Sequence, residues 1–278
     1  MATLHLLTTR HEAKMKPVGK IIPGSVEDQR LPLSYEGAKN AYKTGQDSKV
    51  VPPGCGVVIA GRSTLVRTTQ TLQQMLAGAG YNPDDTASVQ WQPESVETGL
   101  ACGYNFEYPG LPAYSPQNPA ADNYVKALLE QCFVPVDSDK TRPVMAAMGY
   151  ALLNSMITGI ETALPFVRDG GNVLVTQATH APFIDALDAV LFDTVTIDAA
   201  GKGTVQEPAV GGWQGHYAMG EFIKGEIYQV NLGNIPTDPT FLINGKKGIF
   251  KSGRSVLFSL DTLKKIRDKA YNLSLGKF

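Results

Sequence analysis

The amino-acid sequence predicts an α/β protein, a three-layer α/β/α sandwich around a mostly parallel central sheet. Short apolar runs bounded by glycine, such as GVVIAG at 56–61 and GNVLVTQATH at 171–180, are typical of central parallel strands. Helical patterns alternate with these runs, and such alternation favours a parallel sheet with helices on both faces. The 278 residues show no internal repeat or linker, so we expect a single domain over 1–278.

The first half of the chain begins with a predicted strand at 3–7, followed by a polar loop over 11–33. Ser34 is the expected N-cap of the next helix, because a serine oxygen accepts a hydrogen bond from the free amides of the first turn. After the GVVIAG strand, STLVRTTQTLQQMLAGAG predicts a second helix that is capped by Ser63 and ended by glycines. The segment SVQW at 88–91 predicts a further strand.

The second half continues the alternation. A long helix is predicted within RPVMAAMGYALLNSMITGIETALPFV, and the core strand at 171–180 is followed by a helix with Pro182 in its first turn. EIYQVNLG and TFLINGKKGIFK predict antiparallel strands, and SLDTLKKIRDKAYNL predicts a terminal amphipathic helix. Region 93–145, irregular at first and rich in Gly, Pro, Tyr and Asn, is the expected insertion or lid over the site.

Composition argues against several classes of partner. The formal net charge is -1, with 25 basic and 26 acidic side chains, so no basic field indicates a nucleic-acid partner. No apolar run approaches the roughly 20 residues of a membrane span, and the first residues lack a signal-peptide pattern. Cys55, Cys102 and Cys132 have no metal-ligand spacing and are expected to be buried. We therefore expect a cytoplasmic protein without a metal, a cofactor or a membrane partner.

Three predicted strand exits carry the side chains suited to chemistry. Arg10 and His11 follow the first strand, Ser63 and Arg67 follow the second, and His180 follows the strand at 171–180. Parallel α/β sheets bind ligands outside the carboxyl ends of their strands, so these groups are expected to converge in one crevice. Arginine forks match phosphate oxygens, and a helix N-terminus adds backbone donors. The pattern predicts a site for a small anionic molecule.

Four segments, in order, resemble the histidine phosphatase superfamily, which has the phosphoglycerate-mutase-like fold. LLTTRHEA resembles its Arg-His-Gly signature, and DQRLPLSYEGAKNA at 28–41 resembles its Asp-x-x-Leu-[ST]-x-x-Gly-x-x-Gln-Ala stretch. STLVRTTQT at 63–71 is similar to its Ser-x-x-x-Arg-[AT]-x-Gln-Thr helix start. NVLVTQATHAPF at 172–183 resembles the strand that delivers its second histidine. The resemblance is best over 1–80 and 170–192.

The resemblance implies hydrolysis of a phosphomonoester without a metal. His11 would attack phosphorus and become phosphohistidine, which water would then hydrolyse. Arg10, Arg67 and His180 would hold the phosphoryl oxygens in the transition state.

The leaving oxygen also needs a proton from a carboxylic acid. Glu97, in QPESVETGL, lies roughly where the family carries its acid, and Glu94 is the second candidate for this role or for substrate binding. Arg62, Ser63 and Glu12 are the further candidates for substrate binding, although Arg62 is equally suited to be a surface charge.

One position departs from the family pattern, because Glu12 stands where glycine or alanine is expected. Glycine permits a close backbone approach, whereas a glutamate would crowd the phosphate or repel it. Two alternatives therefore stay open beside the phosphatase. One is a phosphomutase, although the chain lacks the run of residues typical of the glycolytic mutases. The other is a scaffold repurposed to bind or convert a carboxylated or otherwise anionic small molecule. The sequence does not specify an oligomeric state.

Overall fold

The structure, a computed structural model, confirms the expected mixed α/β class with a mostly parallel central sheet. It describes residues 2–19, 21, 26–63, 65–92, 144–192, 195–197, 203–205, 222–227, 238–244 and 255–273. The helices and strands in these ranges are, in chain order, β1 (Leu4–Arg10), α1 (Val26–Gln29), α2 (Tyr35–Gln46), β2 (Val57–Arg62), α3 (Val66–Gly78), β3 (Val89–Trp91), α4 (Val144–Arg168), β4 (Val173–Thr179), α5 (Ala181–Phe192), β5 (Val195–Ile197), β6 (Gly203–Val205), β7 (Phe222–Ile227), β8 (Thr240–Asn244), β9 (Ser255–Ser259) and α6 (Leu260–Leu273). The lid expected at 93–145 lies outside the described residues, apart from the first two residues of α4.

Seven strands form the central sheet in the order β3-β2-β4-β1-β7-β8-β9. The strands β1 to β4 are joined by parallel pairings, whereas β7, β8 and β9 are added by antiparallel pairings. The antiparallel strand expected in TFLINGKKGIFK is confirmed in its first five residues as β8. Of the other expected strand, EIYQVNLG, only Glu226 and Ile227 fall in the described residues, where they end β7, which begins at Phe222. Strand β9 and the separate β5-β6 pair were not predicted.

The sheet is covered on both faces, which confirms the three-layer arrangement. Leu4 and Leu6 of β1 pack with residues of α4, α5 and α6, whereas Leu7 points to the other face and packs with residues of α2 and α3. This alternation follows from the two-residue period of a strand. Strand β4 is buried at every position, because it lies between β1 and β2 with helices on both sides.

Strand β1 is longer than expected. The sequence predicted that it ends at Leu7, but it continues through Thr8 and Thr9 to Arg10. Both threonines are buried, because β1 is an interior strand with β4 on one side and β7 on the other. Threonine fits such a position since it is β-branched, so its polarity alone was a poor signal for the end of the strand.

The register of the parallel strands brings the expected site residues to one edge. Arg10 pairs with Thr179, and Arg62 pairs with Ala178, so β1, β4 and β2 end at the same level of the sheet. The amide of His11 continues the ladder by donating to the carbonyl of Thr179 at 2.9 Å. The residues that follow these strands therefore meet at the carboxyl edge of the sheet.

The helix starts agree only in part with the sequence. Ser34 is the N-cap of α2, and its side chain accepts from the amide of Gly37 at 3.0 Å, as predicted. The cap predicted at Ser63 is wrong, because α3 begins at Val66 and Leu65 is its N-cap residue without a side-chain cap. The Ser63 hydroxyl accepts from the amide of Leu65 at 3.3 Å and also contacts the site, which keeps it away from the first turn.

The structure also bears on the expectations about the cysteines, a membrane span and a metal site. Cys55 is buried as expected, and Cys102 and Cys132 lie outside the described residues. None of the described helices is both long and apolar enough to cross a membrane. Within the described ranges, no group of three His, Cys, Asp or Glu side chains is arranged to hold a metal ion.

Helices α2 and α3 pack backbone against backbone. A Cβ atom placed on Gly45 of α2 would overlap the backbone oxygen of Met75 in α3, and one placed on Gly78 would overlap the backbone oxygen of Tyr42. Neither neighbour is a flexible side-chain end, so neither contact is relieved by a rotamer change. This close approach sets the position of α3, the helix that carries Arg67 into the site.

We expect Gly45→Ala to lower the free energy of unfolding by about 1–3 kcal/mol, the usual cost of overpacking. In a helix without such a contact, the same change would stabilise the protein by roughly 1 kcal/mol. Urea denaturation of the purified variant measures the difference. Gly56→Ala serves as the control, because its Cβ would lie 4.0 Å from its nearest neighbour. An unchanged or higher stability of Gly45→Ala would contradict the close packing of the two helices.

Candidate active site

Two histidines and an arginine from three different strand exits are in contact at the carboxyl edge of the sheet. The rings of His11 and His180 lie edge to face, with centroids 5.0 Å apart and an interplanar angle of 63°. The Nε atom of Arg67 lies 3.3 Å from Nε2 of His11. All three side chains are buried. Arg10, the last residue of β1, is close enough to act electrostatically on both histidines.

The hydrogen bonds of His11 define which ring nitrogen carries the proton. Nδ1 lies 2.7 Å from the carbonyl oxygen of Glu12, and a carbonyl only accepts, so Nδ1 carries the hydrogen. The Nε–H of Arg67 donates to Nε2 at 3.3 Å, which requires a lone pair on Nε2. Both contacts select the same tautomer. The unprotonated Nε2 atom is therefore the nucleophilic position of this ring.

Burial and positive neighbours keep both histidines neutral. Burial is the main cause that lowers the pKa of His11 to about 3, and the charge of Arg67 is the next. Arg10 and Lys14 lower the His11 pKa further, while the bond to the Glu12 carbonyl opposes them. The pKa of His180 is held well below its usual value, again first by burial. Near pH 7 the site therefore presents neutral imidazoles beside arginine cations.

Arg67 is held by Asp28, which the sequence analysis did not single out. One terminal nitrogen of Arg67 donates to the backbone oxygen of Asp28 at 2.6 Å, and the other donates to its carboxylate at 3.2 Å. Lys14 forms an ion pair with the second carboxylate oxygen of Asp28. Asp28 is the first residue of the DQRLPLS segment that resembles the family. The resemblance therefore included Asp28 but assigned no role to it.

Ser63 contacts the second histidine. Its Oγ atom lies 3.1 Å from Nε2 of His180 and 3.0 Å from the hydroxyl of Thr68. His180 is fully buried and also packs edge-on against Phe183, with ring centroids 6.3 Å apart. These contacts hold the His180 ring from two sides.

Glu12 is held at the site through its backbone. Its amide donates to the hydroxyl of Thr71 at 3.1 Å, and its carbonyl accepts from Nδ1 of His11. Thr71 is the last residue of the STLVRTTQT segment, and its role as an anchor was also missed. The Glu12 residue is only 6% exposed, and burial is the main cause that raises the pKa of its carboxyl. The Ala13 amide and the charge of Arg10 oppose this shift.

Of the remaining candidates, Arg62 lies within the described residues, and Glu94 and Glu97 lie outside them. The guanidinium of Arg62 lies over the ring of Trp91, 4.7 Å from its centroid, at the same edge of the sheet. Such a contact is a cation–π interaction, which orients the arginine along β3. Glu94 and Glu97 lie outside the described residues, which stop at Gln92 just after β3.

No protein-family model and no curated protein matches the sequence. Among solved structures, the chain is similar to mycobacterial hydrolase 2, with a TM-score of 0.48 and 17% identity over 97% of this chain and 99% of that chain. It is similar to a mycobacterial glucosyl-3-phosphoglycerate phosphatase, with a TM-score of 0.43 and 17% identity over 92% of this chain and 98% of that chain.

A third similar structure is the ecdysone phosphate phosphatase from Bombix mori in complex with tungstate. It has a TM-score of 0.34 and 15% identity, over 85% of this chain and 95% of that chain.

The buried neutral histidines predict acid sensitivity. Below pH 6.5 the unfolded chain binds a proton at His11 that the folded chain does not bind until about pH 3. The free energy of unfolding should therefore fall as the pH is lowered through this window, by about 1.4 kcal/mol per pH unit from His11. Urea denaturation between pH 4 and 7 measures this slope. In His11→Gln the slope should be smaller by about 1.4 kcal/mol per pH unit, which is the contribution of one proton. Equal slopes in the variant and the wild type would contradict the burial of a neutral His11.

The ion pair at Arg67 predicts a large effect of Asp28→Ala. The change removes the carboxylate that neutralises the buried Arg67, and breaking such a buried ion pair costs about 3–5 kcal/mol. Thermal or urea denaturation at pH 7 measures the loss. Lys264→Ala is the control, because it breaks the half-exposed pair with Glu161 and should cost less than about 1 kcal/mol. Similar small losses in both variants would show that Arg67 does not depend on Asp28.

Proposed function

We propose that the chain is a metal-independent phosphomonoester hydrolase of the histidine phosphatase superfamily, in which His11 is the nucleophile. The observation that carries this proposal is the state of the His11 ring. It is neutral, its Nδ1 proton is held by the Glu12 carbonyl, and its Nε2 lone pair faces an arginine cation. A nitrogen nucleophile next to a fixed cation suits attack on an anionic phosphorus centre.

In the first step, the Nε2 lone pair of His11 forms a bond to phosphorus while the bond from phosphorus to the leaving oxygen breaks. The Nε–H of Arg67 gives up its hydrogen bond to Nε2 of His11 and donates to a phosphoryl oxygen instead. This movement is short, because the Arg67 donor already lies beside the His11 ring. Arg10 and His180 supply further donors to the oxygens, on which charge accumulates in the transition state. The carbonyl of Glu12 stabilises the positive charge that develops on the imidazole.

In the second step, water attacks the phosphohistidine and releases inorganic phosphate, which restores the neutral ring. The site is preorganised for both steps. Arg67 is already buried and held in place by Asp28, so little reorganisation accompanies the reaction. Within this proposal the whole chain is one domain that acts in the cytoplasm on a small phosphorylated molecule.

One observation favours a second candidate. Glu12 stands where the family has glycine, and its carboxyl is buried at the site. An ionised carboxylate there would repel a phosphate dianion and would suit a substrate with a different charge pattern. The alternative function is therefore binding or conversion of another anionic small molecule on the same scaffold.

Phosphatase assays with p-nitrophenyl phosphate between pH 5 and 8 separate the two candidates. The wild-type protein should hydrolyse this ester, and His11→Ala should lose at least about a thousandfold in kcat/KM because the nucleophile is removed. Rapid quenching at alkaline pH, followed by mass spectrometry of peptides, should detect one phosphoryl group on His11. His5→Asn is the matched control, since it changes a histidine of the same strand. Absence of turnover on a broad panel of phosphomonoesters would reject the phosphatase and favour the alternative.

A further inference from the structure

Granted the proposed phosphatase reaction, we propose that Glu12 is its catalytic acid, which donates a proton to the leaving oxygen. The family resemblance directs attention to Glu97 and Glu94 for this step, whereas position 12 is where the chain departs from the family. The departure places a buried carboxyl one residue from the nucleophile, within electrostatic reach of Arg10, which also acts on both histidines. A glutamate at the position where the family has glycine would then supply a proton to the leaving oxygen and not only crowd the phosphate.

The backbone of Glu12 is attached to the nucleophile and to α3. Its carbonyl accepts from Nδ1 of His11 at 2.7 Å, and its amide donates to Thr71 at 3.1 Å. The hydroxyl of Thr71 in turn donates to the backbone oxygen of Arg67 at 2.8 Å. The Cα atom of Glu12 is therefore fixed relative to His11 and Arg67, so its side chain starts from a defined position on the Nδ1 side of the His11 ring.

The carboxyl of Glu12 is available to carry a proton. It is buried, and it forms no ion pair with any residue in the described part of the chain. The carboxylate of Asp28 differs, because Lys14 and Arg67 both form ion pairs with it and occupy its oxygens. Of these two buried acids, only Glu12 has a carboxyl that is not committed to a cation.

Burial and the neighbouring polar groups act in opposite directions on the pKa of the Glu12 carboxyl. Burial raises the pKa of the carboxyl, which increases the protonated fraction near neutral pH. The amide of Ala13, which donates to the carboxyl, and next the charge of Arg10 oppose this shift, because both stabilise the carboxylate that remains once the proton has left. A protonated Glu12 does not repel the substrate, which removes the objection raised by its position.

The chemical steps balance with Glu12 in this role. When Nε2 of His11 bonds to phosphorus, the electron pair of the breaking bond goes to the leaving oxygen. That oxygen takes the Glu12 proton and departs as an alcohol, which leaves a carboxylate. In the second step the carboxylate removes a proton from the attacking water, the bond between phosphorus and Nε2 breaks, and phosphate is released with Glu12 protonated again.

The test is the dependence of the Glu12→Gln defect on the leaving group. An alkyl phosphate such as glycerol phosphate releases a strongly basic oxygen that requires the proton, so kcat/KM should fall by about 10²–10⁴-fold. p-Nitrophenyl phosphate releases a weakly basic oxygen, so its loss should stay below about tenfold. A purely structural role would reduce both substrates equally. Glu36→Gln removes an exposed carboxyl from the first turn of α2 and should change neither substrate.

Glu12→Gly provides a second variant that restores the residue of the family pattern. It should show the same selective loss on the alkyl phosphate, because it also lacks the acid. Faster turnover of both substrates by this variant would show that Glu12 only obstructs the site, and equal losses in Glu12→Gln would assign it a structural role. A selective loss in Glu97→Gln or Glu94→Gln, without one in Glu12→Gln, would also overturn the proposal. Failure of the phosphatase itself is distinct, because the wild type would then turn over neither ester.

Discussion

The buried ion pair between Arg67 and Asp28 is the interaction on which the rest of the site depends. Arg67 is among the largest fully buried side chains of the described residues, and a buried guanidinium is tolerated only where its donors are satisfied. Asp28 satisfies both terminal nitrogens, and this leaves Nε to face His11. The pair therefore fixes the cation that, after burial, is the main cause of the lowered pKa of His11 and that would bind a phosphoryl oxygen in the proposed reaction.

One side of α3 organises the loops around this pair. Arg67, Gln70 and Thr71 are spaced three and four residues apart, so they lie on the same face of the helix. Arg67 holds Asp28, Gln70 accepts from the amide of Leu33, and Thr71 accepts from the amide that follows His11. The spacing of this segment thus has a structural reason, because each side chain holds a different stretch of backbone.

Charge and burial act together at the reacting centre. The arginines supply positive charge, and burial keeps His11 and His180 neutral, so His11, the proposed nucleophile, is not lost to protonation near neutral pH. The same burial acts in the opposite direction on an acid and raises the pKa of Glu12. Burial thus shifts His11 toward the neutral base and Glu12 toward the protonated acid, which are the two forms that the proposed reaction with a basic leaving oxygen uses.

The sequence by itself determined the fold class, the core strands and the convergence of Arg10, His11 and His180, because apolar periodicity and strand exits are local patterns that parallel pairing aligns. Only the tertiary structure decided which residues form hydrogen bonds and ion pairs with these site residues. Asp28 meets Arg67 across 39 positions, and Ser63 meets His180 across 117. Such contacts depend on how helices and loops pack, as does the burial of the carboxyl that follows His11. The full length of β1 was hidden for the same reason, since its threonines are buried by neighbouring strands that no local pattern reveals.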